Sequence, residues 1–489
     1  MQALEERAFA NGASPAVLME EAGAAMAAAV HQFFPEPGRC AVFFGKGHNG
    51  GDALVAARYL ARRGWKVELH PAFEPDSWSS LTVRKHHEFG ESRTGVAGVT
   101  RPENGQALIV LDGLLGLGAG GALREPIRSA ARAINRLRAQ ENAQVFALDL
   151  PTGLDADSGS ADDDCVVADF TLTVGFAKTG LVADAATRFV GRLAVLPLAA
   201  LTAQADATAG ENVTTAMLLA PLLPRRLFER HKGECGRVGI VAGSPGLTGA
   251  AVLCAEACVH AGAGLVTLYA APDIYPLVAG RIAPEVMVKE AASYLEALDG
   301  RHDVLAVGPG LGPGREPELV KLVQRAPQPM VIDAGALNLL ARRADLLARC
   351  AGPRLLTPHP GEMARLDPAA ASCLRGETVR AFARRFPVTL LLKGARTIVG
   401  EAGQPLSYNT TGNPGMATGG MGDVLTGVCA ALAGQGLALY DAARLGAWLC
   451  GRAAELAVHS GAESEESLSA THVIARLGAA CKNLRAGCW

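Results

Sequence analysis

The sequence predicts an α/β protein of two domains, each built on a largely parallel sheet with helices on both faces. Three observations carry this. The chain has 489 residues, more than one ordinary core organises. Short apolar runs, read as buried strands, alternate with helical patterns in both halves. The alternation lapses between about 197 and 230, where "LTAQADATAGENVTT" reads as a linker, and then resumes. The boundary falls near 210, giving domains 1–209 and 210–489.

The elements follow in order. Residues 14–31 read as a helix with Ser14 as N-cap and Pro15 in the first turn. "CAVFFGKGHNGGD" is an apolar strand breaking into a glycine turn. "ALVAARYLARRG" is the helix after it and "KVELH" the next strand. "ALIVLDGLLGLG" and "VFALDLPTGLD" repeat the pattern of strand, aspartate and glycine turn. Ligands of such sheets lie beyond the carboxyl ends of the strands, and all three turns fall at that edge. The second half repeats the alternation in "GRVGIVAGSPGLTGA", "GLVTLYAAP", "VLAVGPGLGPG", "PMVIDAGALNLL", "RLLTPHPGEMARL" and "VTLLLKGARTIVG". "NTTGNPGMATGGMGDVLTG" ends the series. Its glycines surround Asp423 and lead into a helix, whose N-terminus favours an anion.

Composition excludes several classes. With 49% hydrophobic and 19% charged residues the chain is globular rather than disordered. A formal net charge of −2 gives no global field for nucleic acid or an acidic membrane. "MQALEERAFANGAS" has no apolar core of a secretion signal, and no uncharged apolar run reaches membrane-spanning length. A cytoplasmic location is therefore expected. The 11 cysteines are scattered without a CxxC pair, which reads as small buried hydrophobes in a reducing compartment.

Individual residues then suggest chemistry. Asp423 beside an anion-holding helix start can take a proton from a hydroxyl; the bland alternative is an N-cap. Lys393 follows an apolar strand, as a phosphate contact or a solvated strand end. His359 stands between two prolines that fix its direction. In the first half, "GKGHNG" is a weak dinucleotide fingerprint without a convincing ribose carboxylate, so a redox site is rejected. Asp112 and Asp149 both end strands at the edge of the 45–52 turn. Carboxylate, amide and hydroxyl oxygens there suit a hard cation.

The second half resembles the carbohydrate-kinase-like NAD(P)HX dehydratases through "VAGSPGLTGA", "GPGLG", "DAGALNLL", "TPHPGEM", "KGARTIV" and "NPGMATGGMGDVLTG". The resemblance covers roughly 220–480 and implies a ribokinase-like fold. It implies that Lys393, Gly394, Ala395, Arg396, Thr397 and Gly422 bind an adenine nucleotide. Gly249, Ala250, Gly310, His359 and Asp423 would surround the hydrated nicotinamide, with Asp423 catalytic. ADP as co-substrate, with Mg2+, is implied too. Leu247 departs from an aromatic residue frequent in relatives.

The first half is similar to the YjeF N-terminal domain, the NAD(P)HX epimerase, over about 1–205. "LMEEAG", "GKGHNGGD", "LDGLLGLG" and "LDLPTGLDADSG" carry the match, which implies a Rossmann-like three-layer α/β/α sandwich. By resemblance, His48, Asn49, Gly50, Gly51, Asp52, Gly116, Leu117, Gly118, Ala119, Gly120, Gly121, Ala122 and Asp149 contact NAD(P)HX. Asn49, Asp112 and Thr152 would hold K+. His48 replaces a more usual Asn, and Thr152 a frequent Ser. Asp149 is the first candidate proton carrier; Lys46 and Lys178 are weaker ones, more simply read as solvated. The joint expectation is a bifunctional repair enzyme that assembles as a homo-oligomer. It would epimerise R- and S-NAD(P)HX and dehydrate the S form at the expense of ADP. The alternative is a small-alcohol, vitamin-precursor kinase with a non-catalytic N-terminal binding module.

Overall fold

The computed structural model describes residues 2–91, 107–118, 120–202, 210–223 and 225–489; Ala119 lies outside them. The chain divides into two compact units, Met1–Thr208 with Trp489, and Ala209–Cys488.

The first unit carries β1 (Arg39–Phe44), β2 (Lys66–Pro71), β3 (Leu108–Gly113), β4 (Gln144–Leu148), β5 (Phe170–Val174) and β6 (Arg192–Leu196). They form one sheet in the order β2-β1-β3-β4-β5-β6, every pair parallel. The pleat sends Ile109, Leu111 and Phe146 into a core on one face and Val110, Val145 and Ala147 into a second core on the other. Both faces are therefore covered, which is why these strands are apolar throughout. The chain moves from β1 outward to β2 and returns to β3 on the other side of β1. That reversal opens a crevice at the carboxyl ends of β1 and β3.

One boundary differs from expectation. The helix after β1 runs His48–Arg62, so it begins at His48 rather than after the glycines. Gly50 and Gly51 lie in its first turn. A Cβ on Gly50 would stand 2.1 Å from the Gly45 carbonyl oxygen, and one on Gly51 would stand 2.5 Å from the Met19 sulfur. Close packing of the turn, not turn flexibility, requires glycine at these two positions.

The second unit holds β7 (Glu211–Val213), β8 (Arg237–Val241), β9 (Leu265–Ala270), β10 (Val286–Glu290), β11 (Val304–Val307), β12 (Met330–Ile332), β13 (Arg354–Leu356), β14 (Thr389–Leu392), β15 (Ile398–Gly400) and β16 (Leu406–Tyr408). Their order is β10-β9-β8-β11-β12-β13-β14-β15-β16-β7. The run from β10 to β14 is parallel, and β15 pairs antiparallel with both of its neighbours. The reversal of order lies between β8 and β11. β7 corrects the linker reading: "ENV" pairs parallel with β16 and becomes an edge strand of this sheet. Every cysteine is free, and Cys40, Cys254, Cys258, Cys429 and Cys450 are buried. Among the described residues no helix is long and apolar enough to cross a membrane.

Two candidate active sites at the strand carboxyl ends

The first site surrounds the β1/β3 crevice. A cavity of about 500 Å³ is lined there by His48, Asn49, Asp52, Gly116, Leu117, Gly118 and Asp149, with Lys46 and Phe73. Phe9, Leu18, Met19, Leu198 and Leu201 add an apolar wall. Gly50 and Gly51 are buried beneath it, whereas Gly120, Gly121 and Ala122 are exposed and outside the lining.

Asp112 is completely buried at the end of β3. Its carboxylate accepts from the Thr152 hydroxyl at 2.7 Å, the Thr152 N–H at 2.8 Å and the Leu114 N–H at 3.3 Å. Burial pushes its pKa up to about 6 against the pull of those donors. The Thr152 hydroxyl in turn accepts from Leu115 N–H at 3.2 Å. Asn49 donates through Nδ2 to the Leu115 carbonyl at 2.8 Å. Its Oδ1 is buried without a hydrogen-bond partner among the described residues. A buried amide oxygen is rarely left unpaired. With a buried carboxylate and a hydroxyl in the same turn cluster, that orphan acceptor fits a hard monovalent cation.

Asp149 follows β4 with φ 70°, a left-handed conformation that Asp tolerates better than most residues. Its Oδ1 accepts from the Lys178 ammonium, and from Val174 N–H at 3.2 Å. Lys178 also donates to Thr173 Oγ1 at 2.8 Å. Lys178 is only 7% exposed, so the solvated reading of this lysine is corrected: it is buried and ion-paired with Asp149. Lys46 is exposed, as read, and lies 5.1 Å over the Phe73 ring.

The second site gathers residues from several strand ends of the other sheet. The Lys393 ammonium follows β14 and sits 2.8 Å from Asp333 Oδ1 and 3.8 Å from Glu362 Oε2. Asp333, at the end of β12, is almost fully buried, and its Oδ2 accepts from Thr426 Oγ1 at 2.9 Å. One carboxylate thus ties β12, the β14 end and the helix Met421–Gly434 together. Gly422 leaves that cluster open: a Cβ there would stand 3.2 Å from Lys393 Nζ.

Asp423 lies half-buried in the first turn of the Met421–Gly434 helix. Gly420, with φ 87°, is the N-cap, so the capping alternative for Asp423 does not hold. Burial, followed by the charge of Asp333, pushes the Asp423 carboxyl up to about 6, with Lys393 opposing. Such a group is ionised at neutral pH and still basic enough to take a proton. The loop before the helix is fixed from behind. Gly412 N–H donates to Glu455 at 2.8 Å, Asn413 Nδ2 to the Ala454 carbonyl at 3.0 Å, and Thr411 Oγ1 to the Trp448 carbonyl at 3.0 Å. A Cβ on Gly419 or Gly249 would meet nothing within 4 Å, so open space adjoins both.

His359 caps the helix Pro360–Leu366. Its Nδ1 accepts from Gly361 N–H at 3.0 Å and Glu362 N–H at 3.3 Å, and Glu362 returns a bond to His359 N–H at 2.9 Å. Nε2 is left to carry the ring proton. Gly310 and Ala250 adjoin across the β8/β11 crevice: a Cβ on Gly310 would stand 2.8 Å from that of Ala250. In the 393–397 turn, Gly394 and Ala395 are exposed. The side chains of Arg396 and Thr397 are turned inward, so the Arg396 guanidinium offers no surface charge to a phosphate. Sequence reasoning passed over Asp333 and Thr426, and gave Glu362 only the helix-start capping role that it does fill. Asp333 repeats the strand-end aspartate of Asp112 and Asp149, a signal that could have found it.

Residues 15–180 match the family model described as YjeF-related protein N-terminus, and 238–476 match NAD(P)H-hydrate dehydratase. A bifunctional NAD(P)H-hydrate repair enzyme of Moorella thermoacetica is 38% identical over 473 residues, spanning 90% of this chain and 87% of that protein. The corresponding protein of Coxiella burnetii is 34% identical over 477 residues, spanning 94% of each. A solved ribokinase-like superfamily protein from Enterococcus faecalis is 25% identical. It covers 57% of this chain and 98% of its own, with a TM-score of 0.50. With two family models in tandem and full-length relatives above 30% identity, this chain belongs to the bifunctional NAD(P)H-hydrate repair enzymes.

Proposed function

We propose that residues 1–209 interconvert R- and S-NAD(P)HX and that residues 210–489 dehydrate the S epimer to NAD(P)H with ADP. The observation that carries the reading is Asp423, a carboxyl raised to about 6 at a helix start and subject to the charges of Asp333 and Lys393.

In the second site Asp423 takes the proton of the substrate hydroxyl. The freed oxygen accepts the terminal phosphoryl group of ADP, whose bond to the bridging oxygen breaks to release AMP. The C–O bond then breaks with phosphate leaving, driven by the lone pair of the ring nitrogen. Loss of a ring proton restores the reduced nicotinamide. Lys393 balances phosphate charge, and Asp333 positions Lys393. The exposed backbone of Gly394 and Ala395, with the space left by Gly422, admits the nucleotide, on which Mg2+ would offset phosphate charge.

In the first site the hydrated carbon bears both oxygen and nitrogen. A base takes the hydroxyl proton, an acid protonates the ring nitrogen, and the C–N bond opens. Reclosure on the other face inverts the carbon. Asp149, which lines the cavity, and Lys178, buried in an ion pair with it, are the base and acid. Asn49, Asp112 and Thr152 would hold K+, which would supply a fixed positive charge to the site.

The test is incubation with hydrated NADH and ADP, following absorbance at the reduced-nicotinamide band. Recovery supports the reading. No recovery, with phosphorylation of a hydroxymethylpyrimidine-type alcohol, favours the vitamin-precursor kinase.

A further inference from the structure

A cavity of the Ala209–Cys488 unit is lined by none of the residues of that unit's catalytic cluster. It encloses about 490 Å³, a volume suited to a nucleotide-sized ligand. Four arginines line it, Arg225, Arg226, Arg230 and Arg485, and among the described residues no carboxylate does. Leu222, Leu223, Leu432 and Leu437 supply an apolar wall.

The bland account is that the arginines cap helix ends. Three helices do finish there: Thr248–His260, Met421–Gly434 and Ala470–Arg485. Arg226 donates to the Gly262 carbonyl and Arg230 to the Glu234 carbonyl at 2.7 Å. Gln435 already serves the carbonyls of Ala261 at 3.1 Å and Ala431 at 2.9 Å. Magnitudes decide the matter. Each helix end offers roughly half a negative charge. Arg225, Arg226 and Arg230 alone bring three guanidinium charges, of which the three ends offset roughly one and a half. A net positive charge is left in the cavity, and guanidinium forks match phosphate oxygens in pairs.

We infer that this cavity binds a small organic phosphate, its phosphoryl groups on the arginines and its planar or apolar body against the leucines. The ligand is separate from the catalytic nucleotide, and binding there links nucleotide supply to the ends of two helices whose opposite ends border the second catalytic site.

The test is hydrogen exchange on the full chain with ADP, pyrophosphate, or sulfate at matched ionic strength. ADP should slow exchange in two places: the 393–397 and 419–423 turns, and the cavity segments 222–230 and 260–264. Pyrophosphate should protect the cavity segments more weakly, and sulfate should not. Arg225 is exposed, so Arg225→Glu leaves the fold intact. It should weaken cavity protection at least tenfold without changing the catalytic turns; Arg230→Gln should act in the same direction. Cavity segments unprotected by ADP, equally protected by sulfate, or protected as before in the Arg225→Glu/Arg230→Gln protein would overturn the inference. Protection that grows with protein concentration and needs no phosphate would also overturn it, in favour of a second copy. None of these failures touches the reading of the catalytic sites.

Discussion

The Lys393 ammonium stands 2.8 Å from Asp333 Oδ1, joining residues 60 apart in sequence at one sheet edge. Thr426 holds the other oxygen of Asp333 at 2.9 Å. The lysine proposed to meet the nucleotide is therefore held in place by the protein itself. Replacing Asp333 by Asn keeps the shape but removes the charge that holds Lys393. The KM for ADP should rise about tenfold to a hundredfold, the size of a lost charge-assisted bond of about 1.5–3 kcal/mol. Epimer exchange should be unchanged. Steady-state kinetics on both reactions checks this; an unaltered KM contradicts the positioning role.

Asp423→Asn should lower dehydration by about 10²–10⁴-fold, the usual worth of a general base. In the parent protein the rate should fall as pH drops through about 6, where the carboxyl takes up its proton. The stability effect has the opposite sign. The folded pKa lies above the ordinary 3.8, so the folded state binds the proton more tightly than the unfolded chain. Ionisation then costs stability as pH rises from about 4 to about 6. Asp423→Asn should accordingly melt higher than the parent at pH 7, with the difference vanishing near pH 3. A variant that is inactive and also less stable at pH 7 would point to a structural aspartate.

The strand–turn–helix plan was legible because a parallel sheet covered on both faces needs apolar strands, as in "CAVFF" and "VFAL". The aspartates were legible as well: Asp112 and Asp149 stand at strand ends and Asp423 at a helix start, as expected. What stayed hidden depends on partners distant in sequence. β7 has only three residues and pairs with a strand nearly two hundred residues on. Lys178 reads as a surface lysine until Asp149 and Thr173 are brought to it. The start of the His48–Arg62 helix was obscured because two glycines suggest a turn, while here they permit close packing.

Gly50→Ala tests that packing. Its Cβ would meet the Gly45 carbonyl at 2.1 Å, a backbone atom that cannot swing aside. Overpacking of this kind costs about 1–3 kcal/mol. The urea midpoint of the first unit should fall, and epimer exchange should weaken with it. An unchanged midpoint would mean that the turn is more yielding than its geometry implies.

The orphan Asn49 Oδ1 predicts a cation response. Replacing K+ by choline should slow epimer exchange and leave dehydration of pure S epimer unchanged. Asn49→Leu should be slow in either salt. A K+ response of normal size in Asn49→Leu would remove this residue from the cation site.

The division of labour between the units is tested most directly with a racemic hydrate. Given excess ADP, the parent protein should restore the full reduced-nicotinamide absorbance, because the R epimer is continually converted to S. Lys178→Met should stop near half recovery on the same timescale, with R-NADHX left in solution by NMR. Full recovery by Lys178→Met at the parent rate would contradict the account.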